Sequence, residues 1–341
     1  MIGYARPFFT VNTSSRRMNV PSANAPALVL HADDFGMNAA VNSGILRTFR
    51  EGILTSTSLL ANAPFAADAC AAWPQLIENL CAGSLPSTER RRQLGDLLLP
   101  FDIGIHLNLT QGRPLSGESY PSVLLNDQGQ FPGIQTVFRR LRITGTNLRD
   151  AVQAELRLQI EWMIDHGIRP THLNGHQYIE LFPGVAELVP GLLERYSIPV
   201  VRLAREPRLA STVLKTGRLL SFGLGIVKHH FARKFHRRIA ATSFVFPERY
   251  FGTSHAGRVD LRTLHRFTKY ASRNGCTEIG LHPGDIAADN IHPVADGWGD
   301  LLGSIRPQEA SWLCGETAPE MLATHGLRLG RLSELKRCPT T

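Results

Sequence analysis

One repeated order restricts this chain more than any other feature: a short apolar run, a polar residue at its C-terminal edge, then a helical pattern. The first instance is Ala27-Leu28-Val29-Leu30-His31-Ala32, which reads as a buried strand. It is followed by Asp33 and Asp34, by Gly36 for a turn, and by Asn38 as the N-cap of a helix. Val41, Ile45 and Phe49 then keep helical spacing as far as Gly52. Ile53 to Ala61 reads as a second strand and Pro64 to Trp73 as a helix, while Gly83 to Pro100 and Ser116 to Gly133 carry the chemistry of loops or insertions. Between those loops, Ile103 to Thr110 reads as a strand. Leu148, Val152, Leu156, Ile160 and Met163 mark a long helix closed by Gly167 and Pro170. Thr171 to His176 is a strand running into a turn, Pro183 opens a helix through Tyr196, and Pro199 to Leu203 and Thr277 to Pro283 are further strands. This alternation produces parallel strands, whose carboxyl ends carry the site in barrels and open sheets alike. The expected fold class is α/β with parallel strands, as a barrel or an open sheet, and residues 27–330 are expected to form one domain with loop insertions. Residues 1–26 read as a flexible extension and 331–341 as a C-terminal tail.

Charge is informative once it is placed. The net +8 lies entirely in residues 205–240, where nine Lys/Arg stand against the single acid Glu206. Leu214, Leu219, Leu220, Phe222, Leu224, Ile226, Phe231 and Phe235 are interspersed with those cations, so the segment is a basic amphipathic stretch suited to an anionic bilayer surface. No nucleic-acid-binding module accompanies it, and nucleic acid is not an expected partner. No apolar run is long enough to span a membrane, and residues 1–26 lack the apolar core of a secretory signal. Cys70, Cys81, Cys276, Cys314 and Cys338 are odd in number and lack a CxxC spacing, which fits a reducing cytoplasm.

Adjacent carboxylates at a strand end are costly to desolvate without a cation, which could be an arginine or a metal. By period two, His106 lies opposite Ile105 and Leu107, beside Gly104 and Asn108. If their strands are neighbours, Asp34, His106 and His176 converge into a carboxylate and two imidazoles, a three-ligand set that leaves a position open for water. Asp33 is then free to accept the proton of that water, and His282 can donate one to the leaving group. Asp34-Phe35-Gly36 also spells a kinase motif, but neither a Gly-rich phosphate loop nor a His-Arg-Asp loop accompanies it. No role is assigned to His31, His166 or His172.

Four motifs in this order, ADDFG, GIHLNLT, THLNGH and GLHPGD, resemble the YdjC/ChbG-type carbohydrate deacetylase family, related in mechanism to NodB-type polysaccharide deacetylases. The resemblance spans roughly residues 27–285. It implies a distorted (β/α) barrel of the polysaccharide-deacetylase type and removal of an acetyl group from an N-acetylated sugar. It also implies one divalent metal ion on Asp34, His106 and His176, with Asp33 as base, His282 as acid and Arg202 orienting the base. Zn²⁺ is the first choice for that ion and Mg²⁺ the second. Asn174-Gly175-His176-Gln177-Tyr178 departs from the His-rich run of chito-oligosaccharide members. Together with Glu180-Leu181-Phe182-Pro183 it is similar to the hopanoid-biosynthesis branch, HpnK. That similarity implies the N-acetylglucosaminyl head group of a glycolipid as substrate, and the basic stretch 205–240 independently fits contact with the inner face of the membrane. The alternatives are a deacetylase of soluble chito-oligosaccharide-like sugars and a catalytically silent glycolipid-binding protein.

Overall fold

The structure is a computed structural model that describes residues 20–141, 146–206, 220–253, 255–286 and 295–335. Its strands are β1 (Ala27–Phe35), β2 (Ser56–Leu59), β3 (Asp102–Leu107), β4 (His172–Gly175), β5 (Val200–Val201), β6 (Arg249–Phe251), β7 (Cys276–Leu281) and β8 (Arg328–Leu329). All pair in parallel, in the order β5-β4-β3-β2-β1-β7-β6, with β8 against the start of β1. The two ends of this path do not pair with each other. Val200 of β5 instead forms a lone bridge to Val245, ahead of β6. The expected α/β barrel is therefore present as an incompletely closed one, with helices outside.

Period two sorts the strand residues into two environments. Leu28, Leu30, Ile103, Ile105, Leu107, Ile279 and Leu281 are buried in the main apolar core with the surrounding helices. The opposite face lines the barrel, and at its base Ala27, Val29, Val200, Cys276 and Leu332 form a separate apolar plug. Above the plug the lining is polar: His31, Ser56, Ser58, His106, His172, Asn174, Arg202 and Glu278 are all buried. Two glycines make room for the bulky members of this layer. A Cβ on Gly104 would lie 2.3 Å from His172 Nε2, and one on Gly280 would lie 2.3 Å from the Tyr250 hydroxyl.

Several sequence expectations need correction. The stretch 83–100 is not simply a loop, for it contains the helix Thr88–Gln93. Arg91 of that helix is fully buried, donating to the carbonyls of Phe49 and Leu54 and pairing with Asp96 at 3.2 Å. The helix expected from Pro183 to Tyr196 is two, Pro183–Ala186 and Val189–Arg195, the second accommodating Pro190 in its first turn, where the missing N–H is not needed. The tail does not begin at 331: Arg331 is buried, pairs with Asp96 at 3.1 Å, and lies over the ring of Phe101, while Leu332 closes the plug.

Within the basic segment, residues 207–219 lie outside the described residues, and Leu220–Ala240 is a helix. From residue 230 onward, Ala232, Phe235 and Ile239 are buried, and Phe231 meets the ring of Phe138 at 5.4 Å. Phe231 and Phe235 therefore face the protein core, and Arg233, Lys234, Arg237 and Arg238 form the exposed face. Among the described residues, no helix is long and apolar enough to cross a membrane.

Candidate active site

The site is built where β1 breaks its register. Pairing with β2 slips between Ala32 and Phe35, and Asp34 takes a left-handed backbone, φ 71°. A regular strand would send Asp33 and Asp34 to opposite faces. The irregularity turns both carboxylates into one buried site at the carboxyl ends of the strands.

Asp33 is held by polar groups from β1, β2 and β4 and by Arg202, which directly follows β5. Arg202 Nη1 donates to both of its oxygens at 2.9 and 2.8 Å, Asn174 Nδ2 to Oδ1 at 3.1 Å, and Ser58 Oγ to Oδ1 at 3.3 Å; His31 Nε2 lies 3.2 Å away. Burial by itself would raise the pKa of Asp33, but Arg202, then His106 and His31, outweigh it and hold the carboxyl well below the usual range. Arg202 is fixed in turn by Glu278, which accepts from its Nε at 2.7 Å, and by the ring of Tyr250, 5.1 Å from its guanidinium.

Asp34 divides its two oxygens. Arg306 Nη2 donates to Oδ2 at 2.8 Å, whereas Oδ1 faces His176 Nδ1 at 3.0 Å and His106 Nε2 at 3.6 Å. Asn174 settles the tautomer of His106. Its amide N–H₂ is committed to Asp33, so its Oδ1, 2.7 Å from His106 Nδ1, must accept the proton there. In neutral His106 the Nε2 lone pair then confronts a carboxylate oxygen, an arrangement that calls for a proton or a cation between them. Burial disfavours charge on His106, yet Asp33 and Asp34 outweigh it and raise its pKa.

A ligand atom from each of Asp34, His106 and His176 lies within 4.8 Å of the others, all three residues are buried, and His176 Nε2 has no hydrogen-bond partner. This donor set fits a divalent ion that takes imidazole and carboxylate together. The cation question raised by the sequence has a double answer, since each Asp already has its own arginine and the histidines still leave room for a metal.

His282 is buried beside this set, its Nε2 3.8 Å from Asp33 Oδ2, and its Nδ1 accepts the N–H of Gly257 at 3.2 Å. Burial pushes its pKa down to about 4 against the opposing pull of Asp34 and Asp33. Glu309 anchors its backbone by accepting the His282 N–H at 2.6 Å and the Val259 N–H at 2.8 Å. The cavity above measures about 220 Å³. Its floor is formed by Asp33, Asp34, His106, His176 and His282, and Tyr178 is part of its wall. Gln177 and Tyr178 both occupy the left-handed region, φ 54° and 64°, and the Tyr178 hydroxyl lies 3.1 Å from that of Tyr250. Backbone strain of this kind persists where the surroundings over-determine it.

The structure thus brings all six residues singled out in the sequence, Asp33, Asp34, His106, His176, Arg202 and His282, to one end of the barrel. Sequence reasoning missed their supports. His31 and Asn174 could have been found, because each shares a strand face with a site residue two positions away, Asp33 and His176. Glu278 was a visible signal too, a charge inside an otherwise apolar strand. Arg306 had none, lying far along the chain in an unremarkable run.

A family model described as YdjC-like protein matches residues 27–324. Curated relatives include the carbohydrate deacetylase of Geobacillus stearothermophilus, 35% identical over 183 residues, 53% of this chain and 62% of that protein. The carbohydrate deacetylase of Danio rerio is 30% identical over 272 residues, covering 78% of this chain and 77% of that one. Another, from Halalkalibacterium halodurans, is 28% identical over 214 residues, 62% of this chain and 78% of the relative. The chain therefore spans less than two thirds of the Geobacillus protein. The crystal structure of a protein from Enterococcus faecalis V583, described as acting in cellobiose-phosphate cleavage, superposes with a TM-score of 0.65. It covers 91% of this chain and 98% of that one at 19% identity, and so shares the fold.

Proposed function

Because the chain belongs to the YdjC-like family, we propose that it is a metal-dependent hydrolase that removes the acetyl group from an N-acetylated amino sugar. The observation that carries this reading is the convergence of Asp34, His106 and His176 with a second carboxylate, Asp33, held outside the ligand set by Arg202. When bound, a divalent ion supplies a Lewis acid for the acetyl carbonyl and lowers the pKa of water. The rest is work for the side chains. Asp33, kept ionised by Arg202, accepts the proton of the attacking water. That proton is the one the departing amine needs, so the site moves it from oxygen to nitrogen. His282 presents Nε2 to this path, because the Gly257 N–H occupies Nδ1. Held neutral in the resting site with its proton on Nε2, His282 orients the departing group by donating a hydrogen bond and does not begin as the imidazolium expected of a general acid; the proton taken up by Asp33 is the one delivered to the amine.

The substrate we favour is the N-acetylglucosaminyl head group of a hopanoid glycolipid. The Asn-Gly-His-Gln-Tyr form of the fourth-strand motif supports it, as does the row of exposed cations Arg233, Lys234, Arg237 and Arg238. Because Phe231 and Phe235 pack inward, membrane contact through residues 230–240 rests on charge and not on insertion. The test is acetate release from an N-acetylglucosamine-headed hopanoid in liposomes and from soluble chito-oligosaccharide, each before and after chelation and with Zn²⁺ or Mg²⁺ restored. Metal-dependent release from the lipid in excess of the soluble oligomer supports the whole reading. Equal rates remove the lipid, and no release with any ion leaves a silent binding protein.

A further inference from the structure

We infer that Arg306 is a positioning residue that restricts Asp34 to offering a single oxygen to the metal centre. The inference rests on the metal reading above but concerns a residue outside the ligand set. Arg306 opens the helix Arg306–Cys314, 272 residues after Asp34 in sequence, and is 2% exposed. Its two ends are tied to two carboxylates: Nη2 donates to Asp34 Oδ2 at 2.8 Å and Nε to Asp300 Oδ2 at 2.8 Å. Its stem runs through space that only a glycine leaves free, since a Cβ on Gly284 would lie 2.9 Å from Arg306 Cδ. The guanidinium has little freedom to let go.

Asp34 has a matching peculiarity. Its left-handed backbone is unusual for a residue with a side chain, and it persists where neighbours hold it. With Oδ2 committed to Arg306, only Oδ1 remains to face His106 and His176. A carboxylate freed of such a partner can rotate, losing the alignment of Oδ1 with the imidazoles and bringing its second oxygen into the position that a water or substrate would need. Arg306 also balances the charge of Asp34 as Arg202 balances that of Asp33, and this positive charge by itself opposes cation binding. Positioning and charge therefore predict opposite outcomes when Arg306 is removed.

The experiment uses the full-length protein stripped of metal, with Zn²⁺ affinity measured by chelator competition and Co²⁺ as a spectroscopic reporter. The variants are R306Q, which removes the charge, R306K, which keeps it but cannot span both carboxylates, and D300N, which removes the counter-charge that holds the far end of Arg306 and leaves the charge of Arg306 in place. If Arg306 positions Asp34, R306Q and R306K weaken Zn²⁺ binding by roughly 10–100-fold, the range typical for groups that orient metal ligands. D300N falls between them and the unaltered protein. The visible Co²⁺ bands of R306Q also lose intensity as a second oxygen joins the ion. Circular dichroism checks folding, and if R306Q does not fold, R306K and D300N carry the same comparison. R306Q that binds Zn²⁺ as tightly as the unaltered protein, or more tightly, with an unchanged Co²⁺ spectrum, overturns the inference while leaving the metal centre standing. Unaltered protein that takes up neither ion overturns both.

Discussion

At the scale of single residues, the site works by giving two adjacent carboxylates different partners. Asp33 receives a full set of donors and no ligand geometry, whereas Asp34 turns one oxygen to the imidazoles. Asp33→Asn should therefore cut acetate release by about 10²–10⁴-fold, the usual contribution of a general base, while Zn²⁺ binding is kept. Loss of the metal instead would mean that the two roles are exchanged. Glu180 provides a second prediction. It is fully buried behind the site, neither carboxyl oxygen has a hydrogen-bond partner, and burial pushes its pKa up to about 7 against the pull of Arg202 and His106. An unfolded Glu titrates near 4.3, so between about 4.3 and 7 the native state holds a proton that the unfolded chain has lost. Stability must fall as pH rises through that window and level off above it, by an amount on the order of a few kcal/mol. Thermal melts at pH 5 and pH 8 should show Glu180→Gln stabilising the protein more at pH 8. Glu309, also raised to about 7 by burial, contributes a slope of the same sign, so the variant flattens the profile without abolishing its slope.

At the scale of elements, the strands are unusual in turning a polar face to the barrel interior, and small residues decide whether that face fits. Gly104 sits on β3 beneath His172, whose ring atoms lie 2.3 to 2.6 Å from where a Cβ would be. Both are buried, so the ring has nowhere cheap to move. Gly104→Ala should destabilise the protein by about 1–3 kcal/mol, read as a lower midpoint in a urea melt, with the ion affinity of the site less affected than its fold. Most elements were legible in sequence because each carries its own period. Apolar spacing marked the helix Ala39–Arg50, and the apolar run from Ala27 marked β1. The helix Thr88–Gln93 was not legible, because three consecutive arginines look like a solvated loop until a buried acid and two backbone carbonyls are found waiting for Arg91.

At the scale of the whole molecule, the chain is drawn together at both ends of the barrel by buried arginines. At the base, Arg91 and Arg331 share Asp96 and both lie over the ring of Phe101, 4.7 and 5.1 Å from its centroid, tying residues before β3 to residues after β8. Asp96→Asn would leave two buried guanidiniums without their counter-charge and should cost about 3–5 kcal/mol, a loss that calorimetry would show as a large drop in melting temperature. At the opposite end, Arg202 and Arg306 do the same for Asp33 and Asp34. The sequence by itself determined the alternation of strands and helices, the parallel sheet, the end of the strands at which chemistry would be found, and the six side chains that meet there. These follow from local periodicity and from motifs whose residues declare their own chemistry, except Arg202, which only the family resemblance singled out. Only the tertiary structure decided that Arg306 answers Asp34, that the barrel stays open between β5 and β6, and that Phe231 and Phe235 of the basic helix turn inward. Those outcomes depend on desolvation and on pairing across hundreds of residues, for which no local pattern in the chain is a substitute.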